Sequence, residues 1–368
     1  MALAVALAGV ALYLITAGAG DGGPDEPEPE RAARSAAPRE RGPHEVAARR
    51  FLDTYVKPDG RVERTDQGGD TVGEGQAYGM LIAAAIGDER RFDLVWEWTK
   101  DNLRQPDGLI AFLWRSGRVV DPKPASDADV DAARALLAAA CRFERPEFED
   151  EALALGRAIL RHETIRFEDL PLLVAGPWAK RPPIFVNPSY FSPATFAALR
   201  AATGDNRWDG LSGSSRDITD RLMPGAGDLP PDWAILRGGR LLASGPPGDA
   251  GGKPIFGFEA VRLLVRFAED PDPAGREIAA RAWPAFKGRA PEDIPVEWDP
   301  SGQPTGTTEH PTALVAAAGA ADAAGDAAAK SRLLDAAEAL DRRAPTYYGS
   351  AWVALGRIML DTNSLDCS

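Results

Sequence analysis

Residues 76–103 read QAYGMLIAAAIGDERRFDLVWEWTKDNL, and this stretch decides the fold class. Apolar residues recur three and four apart on both sides of Gly87-Asp88, which is the period of helices with a buried face. Glycine closes the first helix because it accepts a left-handed conformation, and the aspartate opens the next by accepting backbone N–H groups. The unit is an αα-hairpin. The same hinge returns at Gly204-Asp205 before Trp208 and at Gly325-Asp326 before Leu333.

Outward from this hairpin, the helical period recurs from HEVAARRFLDTYV (44–56) to SAWVALGRIML (350–360). Between them lie VDAARALLAAACRF, EDEALALGRAILRHE, PATFAALRAATG, WDGLSGSSRDITDRL, FEAVRLLVRFAE, AGREIAARAWPAF, PTALVAAAGAADA and KSRLLDAAEALDRR. With the opening hairpin this makes twelve helices in six pairs. Short hinges alternate with long connections over 104–126, 165–191, 224–255 and 288–310. That inequality argues against a regular solenoid and predicts an all-α (α/α)6 barrel over 44–363, its long loops forming a groove at one end. Strands are expected only near LIAFLW (109–114) and ILRGGRLL (235–242).

The chain begins differently. Residues 2–20 carry no charge and are long enough to span a bilayer core, so residues 1–20 read as a signal peptide or a membrane anchor. Residues 21–43 hold five prolines and little apolar bulk, the composition of a disordered linker. The reading is an exported monomer, periplasmic or extracellular, that meets a membrane only through its first segment.

Of the 368 residues 44% are hydrophobic, enough for a sizeable core, and the net charge of −13 disfavours nucleic acid as a partner. Three scattered histidines and two cysteines make no His- or Cys-built metal site. Sequence does not decide whether Cys141 and Cys367 meet; a buried thiol and a free tail cysteine are the expected fates.

Three acidic clusters are candidates for chemistry. In Thr71-Val72-Gly73-Glu74-Gly75-Gln76-Ala77-Tyr78, Thr71 and Glu74 have capping-box spacing. The glycines on both sides of Glu74 argue for close approach by another group. A carboxyl crowded by Tyr78 at a barrel mouth would have the raised pKa of a general acid. In Ser126-Asp127-Ala128-Asp129-Val130-Asp131, Ala132 stands where a calcium loop needs glycine, so an EF-hand is excluded. Ser126 is expected to cap a helix there, yet three acids in five residues exceed what a helix start needs, and a sugar-hydroxyl or water-positioning role fits. Phe258-Glu259-Ala260-Val261-Arg262 reads locally as a surface helix with a Glu–Arg pair. Of the aromatics, Trp114, Trp178, Tyr190, Phe191, Trp233, Tyr347, Tyr348 and Trp352, those on long loops are candidates to stack on sugar faces.

Together these segments resemble glycoside hydrolase family 8. Residues 73–80 (GEGQAYGM) are similar to its SEGQ-x-YGM element, Asp107-Gly108-Leu109 with Trp114 to its DG…W segment, and residues 125–129 (ASDAD) to its A-[ST]-D-A-D signature. Asn187-Pro188-Ser189-Tyr190-Phe191 with Pro193, Pro231-Asp232-Trp233 and residues 258–262 resemble NPSYF-x-P, PDW and YDA-x-R in the same order. The blend is similar to the members that accompany bacterial cellulose synthase. The resemblance implies an inverting endo-β-1,4-glucanase acting on cellulose-like β-glucan, with chitosan or xylan as rival substrates, without cofactor or metal. A weakly catalytic glycan-binding accessory is the alternative. Glu74 aligns with the general acid, Glu259 with the general base and Asp127 with a signature aspartate; Asp129, Tyr78, Trp114, Tyr190 and Arg262 are the expected substrate-binding residues. The chain departs from the pattern at Gly73, Ala132, Phe143, Phe258 and above all Glu259, where the family has aspartate.

Overall fold

A computed structural model describes residues 41–367; the expected leader and nearly all of the expected linker lie outside the described residues. Its helices in chain order are α1 (Pro43–Tyr55), α2 (Gly73–Ile86), α3 (Glu89–Asn102), α4 (Ser126–Arg142), α5 (Pro146–His162) and α6 (Pro193–Thr203). Then come α7 (Arg207–Leu222), α8 (Val261–Ala268), α9 (Pro273–Arg281), α10 (Trp283–Phe286), α11 (Pro311–Ala323), α12 (Ala327–Arg343) and α13 (Tyr347–Asp361). All twelve predicted helices are present. One is broken: AGREIAARAWPAF divides into α9 and α10 at Ala282, because Pro284 has no N–H to continue the ladder.

The packing order is that of two nested rings. Helices α2, α4, α6, α8, α11 and α13 each pack on the next, and α13 returns to α2; α3, α5, α7, α9, α12 and α1 cover them from outside. The molecule is mostly helical, in an order consistent with an (α/α)6 barrel. Sequence explains which ring each helix joins. α2 and α11 are buried at nearly every position, whereas α3 and α12 bury one face. Small residues let the inner helices approach: a methyl on Gly319 of α11 would stand 2.8 Å from the Leu264 carbonyl oxygen of α8, and one on Gly356 of α13 would stand 2.5 Å from Val315.

The Gly-Asp hinges form as expected at two sites. Gly87 and Gly325 are left-handed, and Asp88 and Asp326 accept the Arg91 and Ala329 N–H groups at 3.2 and 3.0 Å. At the third, Asp205 accepts from Arg207 at 3.0 Å, and Asn206 takes the cap position itself.

The long connections hold more strand than predicted. β1 (Thr71–Val72), β2 (Leu113–Arg115) and β3 (Arg118–Asp121) form one antiparallel sheet, and β4 (Thr164–Phe167) and β5 (Leu170–Leu173) a hairpin. β6 (Ile184–Val186), β7 (Trp233–Arg237) and β8 (Arg240–Ser244) form a third sheet, in that order. β2 and the β7–β8 hairpin fall on the two predicted stretches; the other strands, two to four residues long, lie outside them.

The cysteine expectation is overturned. Cys141 at the end of α4 and Cys367 form a disulfide with Cα atoms 5.7 Å apart. The tail after α13 folds back across the ring, burying Leu365 and reaching α4. A separation of 226 residues gave no local sign of this pairing.

Candidate active site

Glu74 lies in the first turn of α2, Asp127 in the first turn of α4, and Glu259 on the turn just before α8. One side chain joins them. Arg262, 2% exposed, donates from Nη1 to Glu74 Oε1 at 2.8 Å and to Asp127 Oδ2 at 2.6 Å, and from Nη2 to Glu259 Oε2. The surface Glu–Arg pair expected from local sequence is therefore a buried hub.

Glu74 is further held from behind. Tyr78, one turn along α2 and fully buried, donates its hydroxyl to Glu74 Oε1 at 2.5 Å, and Trp352 Nε1 of α13 donates to the same hydroxyl oxygen at 3.1 Å. Gly75 is required here, since a methyl would stand 2.6 Å from the Tyr347 hydroxyl. Burial pushes the Glu74 carboxyl up to about 7; Arg262 opposes this, and the charges of Asp127 and Glu259 add to it.

Glu259 is positioned by the third sheet. Antiparallel pairing of Val186 with Ala234 sets Asn187, just after β6, beside Asp232, just before β7. Asn187 Oδ1 accepts the Ser189 N–H and hydroxyl, which turns its amide nitrogen toward Glu259 Oε2 at 3.0 Å. Asp232 Oδ1 accepts the Gly257 and Ala260 N–H groups, both at 2.8 Å, fixing the turn that carries Glu259. Burial raises Asp232 to about 6 against these donors. Burial also raises Glu259, with Arg262 opposing and Asp232 adding. The Glu259 side chain is 35% exposed, against 18% for Glu74 and 4% for Asp127, so it is the most open of the three.

Residues 44–360 match the model of glycosyl hydrolases family 8. The chain belongs to that family. It is 31% identical over 227 residues to a probable endoglucanase of Novacetimonas hansenii, covering 59% of this chain and 64% of that one. It is 28% identical over 228 residues to an endoglucanase of Cellulomonas uda, covering 60% and 62%. The match thus spans just under two thirds of the length of both relatives. The solved endo-beta-1,4-glucanase CMCax from Acetobacter xylinum is 28% identical with a TM-score of 0.72, over 86% of this chain and 98% of that one.

In this family-8 chain the predicted site residues divide. Glu74, Asp127, Glu259, Tyr78 and Arg262 come together, and Tyr190 lies under Arg262, its ring centre 5.1 Å from the guanidinium carbon. Asp129 does not join them. It is fully buried on another face of α4, where Oδ1 accepts the Ile110 N–H at 2.9 Å, so it cannot meet a sugar. The Trp114 ring packs edge-on against Trp98 with Arg61 above it, on the α3 side. The capping box does not form: Thr71 donates to the Val62 carbonyl at 2.9 Å and Glu74 faces Arg262. Ser126 likewise bonds the Val174 carbonyl at 2.7 Å instead of capping α4. Asn187 and Asp232 were missed as site residues, although each is a polar residue inside a quoted motif.

Proposed function

We propose that the protein is an exported, inverting endo-β-1,4-glucanase on a closed (α/α)6 barrel, with Glu74 as general acid and Glu259 as general base. The observation that carries this reading is the single guanidinium shared by Glu74, Asp127 and Glu259. One positive charge faces three carboxyls, and two of them share one nitrogen. A proton retained on one of those two relieves the repulsion, and the raised pKa of Glu74 assigns it there. Glu259 is more open to solvent than Glu74, and N–H groups from Arg262 and Asn187 oppose the burial that raises it.

Hydrogen bonds to one guanidinium keep the bonded Glu74 and Glu259 oxygens within roughly 8 Å of each other, which is compatible with the spacing of about 6.5–9.5 Å used by inverting pairs. Protonated Glu74 then gives its proton to the glycosidic oxygen, while Glu259 takes one from a water attacking the opposite face of the sugar. The extra methylene of glutamate is accommodated, because its oxygen already lies on Asn187 and Arg262.

A β-glucan suits the surroundings. An aromatic row runs from Tyr190 through Trp233 and Phe185 to Trp178, with successive ring centres 6.1, 6.4 and 6.4 Å apart. Phe258, 41% exposed beside Glu259, forms a second group with Tyr348 and His310. Flat apolar rings are the surfaces that sugar faces stack on. Export is supported by the Cys141–Cys367 disulfide, which persists in an oxidising compartment, and by the uncharged residues 2–20.

The test is reducing-end release by the purified protein on carboxymethyl-cellulose, mixed-linkage β-glucan, xylan and chitosan, with the first product's anomer read by NMR. Release on a β-1,4-glucan with inversion, lost in Glu74→Gln, is the expected result. Retention of the protein by glucan in an affinity gel with no release from any polymer would replace this reading with a glycan-binding accessory.

A further inference from the structure

Two buried acids lie outside the catalytic cluster. Asp129 of α4 and Glu163 at the end of α5 are both 0% exposed, and their carboxyls lie near enough that a proton on one would bond the other. Beyond the Ile110 N–H on Asp129 Oδ1, no donor among the described residues reaches them: Asp129 Oδ2 and both Glu163 oxygens are otherwise unpartnered. Two carboxylates in contact without a donor are untenable in a closed interior, and one shared proton turns the contact into a hydrogen bond. The groups that face Glu163 do not offer an alternative. Asp127 and Asp129 on α4 and Asp107 on the loop after α3 add negative charge. Lys180, which feels the Glu163 charge, spends its ammonium on the Arg161 carbonyl at 3.2 Å.

The pair is tied to the active site by two short routes. Asp129 pins the Ile110 N–H, and the Ile110–Phe112 segment covers the base of α2. A methyl on Gly73 would stand 2.9 Å from Ile110 Cγ2 and from the Ala111 oxygen, and Gly73 N–H donates to the Phe112 carbonyl at 3.0 Å. Gly73 is the residue before Glu74. The Glu163 carbonyl also accepts the Val174 N–H at 2.9 Å, and the Val174 carbonyl accepts the Ser126 hydroxyl, next to Asp127.

We propose that Glu163 is a positioning residue: it keeps its proton, donates it to Asp129, and through the Asp129–Ile110 bond holds residues 110–112 against Gly73, and so Glu74 in place. The catalytic half of this inference rests on Glu74 being the general acid. Burial, the leading cause, pushes both carboxyls well above their ordinary range, in keeping with a retained proton. The native pair then binds a proton that the unfolded chain releases above about pH 4. Its contribution to stability is complete below that pH and falls as pH rises toward the folded value.

The experiment compares the full-length protein with Glu163→Gln, which donates without titrating, and Glu163→Leu, which cannot donate. In the infrared at pH 7, the parent is expected to show a protonated-carboxyl carbonyl band that E163Q lacks. The melting temperature of the parent should fall more steeply than that of E163Q between pH 5 and 9. Loss of one buried hydrogen bond predicts amide exchange at Ile110 and Gly73 about tenfold faster in E163L, with E163Q restoring the parent rate. On glucan, E163L should lose kcat at unchanged KM and E163Q should recover it. An unchanged band and equal pH slopes in parent and E163Q would overturn the proton. Parental amide exchange in E163L would overturn the positioning. A protein inactive on every glucan would defeat the hydrolase reading alone, because the band, the slopes and the exchange rates still judge Glu163.

Discussion

The same two helices build three polar layers, and the first behaves in the opposite way to the other two. α4 and α8 face each other in constant register, with Asp127 opposite Arg262, Asp131 opposite Arg266 and Arg134 opposite Glu269. In the second layer Arg266 takes both oxygens of Asp131, at 2.8 and 2.7 Å, and the charges match one to one. The third repeats that match with polarity reversed, Arg134 holding both oxygens of Glu269. In the first, Arg262 serves Glu74 and Glu259 as well as Asp127. A matched buried pair is structure: each carboxylate has both oxygens bonded to its own guanidinium, which opposes the burial that raises it. An undersupplied cation leaves a carboxyl that holds its proton near neutral pH, as a general acid must.

The sharpest way to break this contrast is to neutralise one acid in the first layer and one in the second. Glu74→Gln keeps shape and hydrogen bonding but has no proton to deliver. We expect kcat to fall about 10³-fold with the melting temperature retained, measured by reducing-end release and thermal unfolding. Asp131→Asn should do the reverse. It strands the Arg266 charge, 1% exposed, and breaking one side of a buried pair costs about 3–5 kcal/mol. Urea unfolding should show that loss, while the folded fraction hydrolyses glucan at close to the parent rate. A parental rate in E74Q, or a large kcat loss in a stable D131N, would erase the distinction between the layers.

Much of this arrangement was legible in the chain. Apolar period and Gly-Asp hinges suffice for the helices, since both are local properties. Glu74, Asp127, Glu259 and Arg262 were marked by motif. Facing was legible too, though unread: residues two apart on a helix point about 200° away from each other, so Asp127 and Asp131 share a face that Asp129 cannot. What sequence could not supply depends on distant chain meeting. Arg262 reads as a surface residue until ring closure buries α8. The Thr71–Glu74 spacing suits a helix cap, and only the arrival of Arg262 turns Glu74 away from one. Asn187 and Asp232 become neighbours through β6–β7 pairing, and Cys367 meets Cys141 only when the tail folds back.

A smaller effect tests how finely the first layer is set. Glu259→Asp withdraws the carboxylate by one methylene, away from Asn187 and Arg262. A displacement of that order predicts about 10²-fold lower kcat, although aspartate is what the family motif carries. Activity equal to or above the parent would mean that the base is placed by the backbone turn on Asp232 instead of by its side-chain partners.

The smallest effect is a shift in pH dependence. As the proposed general acid Glu74 must be protonated to act, so kcat/KM should decline as pH rises through about 7. Asp127 raises that value by its negative charge and also draws on the Arg262 nitrogen that would otherwise serve Glu74 alone. Asp127→Asn removes both influences, and each change favours the Glu74 anion. The alkaline limb of kcat/KM should therefore move to lower pH by roughly one unit. Asp131→Asn, a layer below, should leave the limb where it is. A limb unmoved in D127N would mean that Asp127 has no part in holding the Glu74 proton.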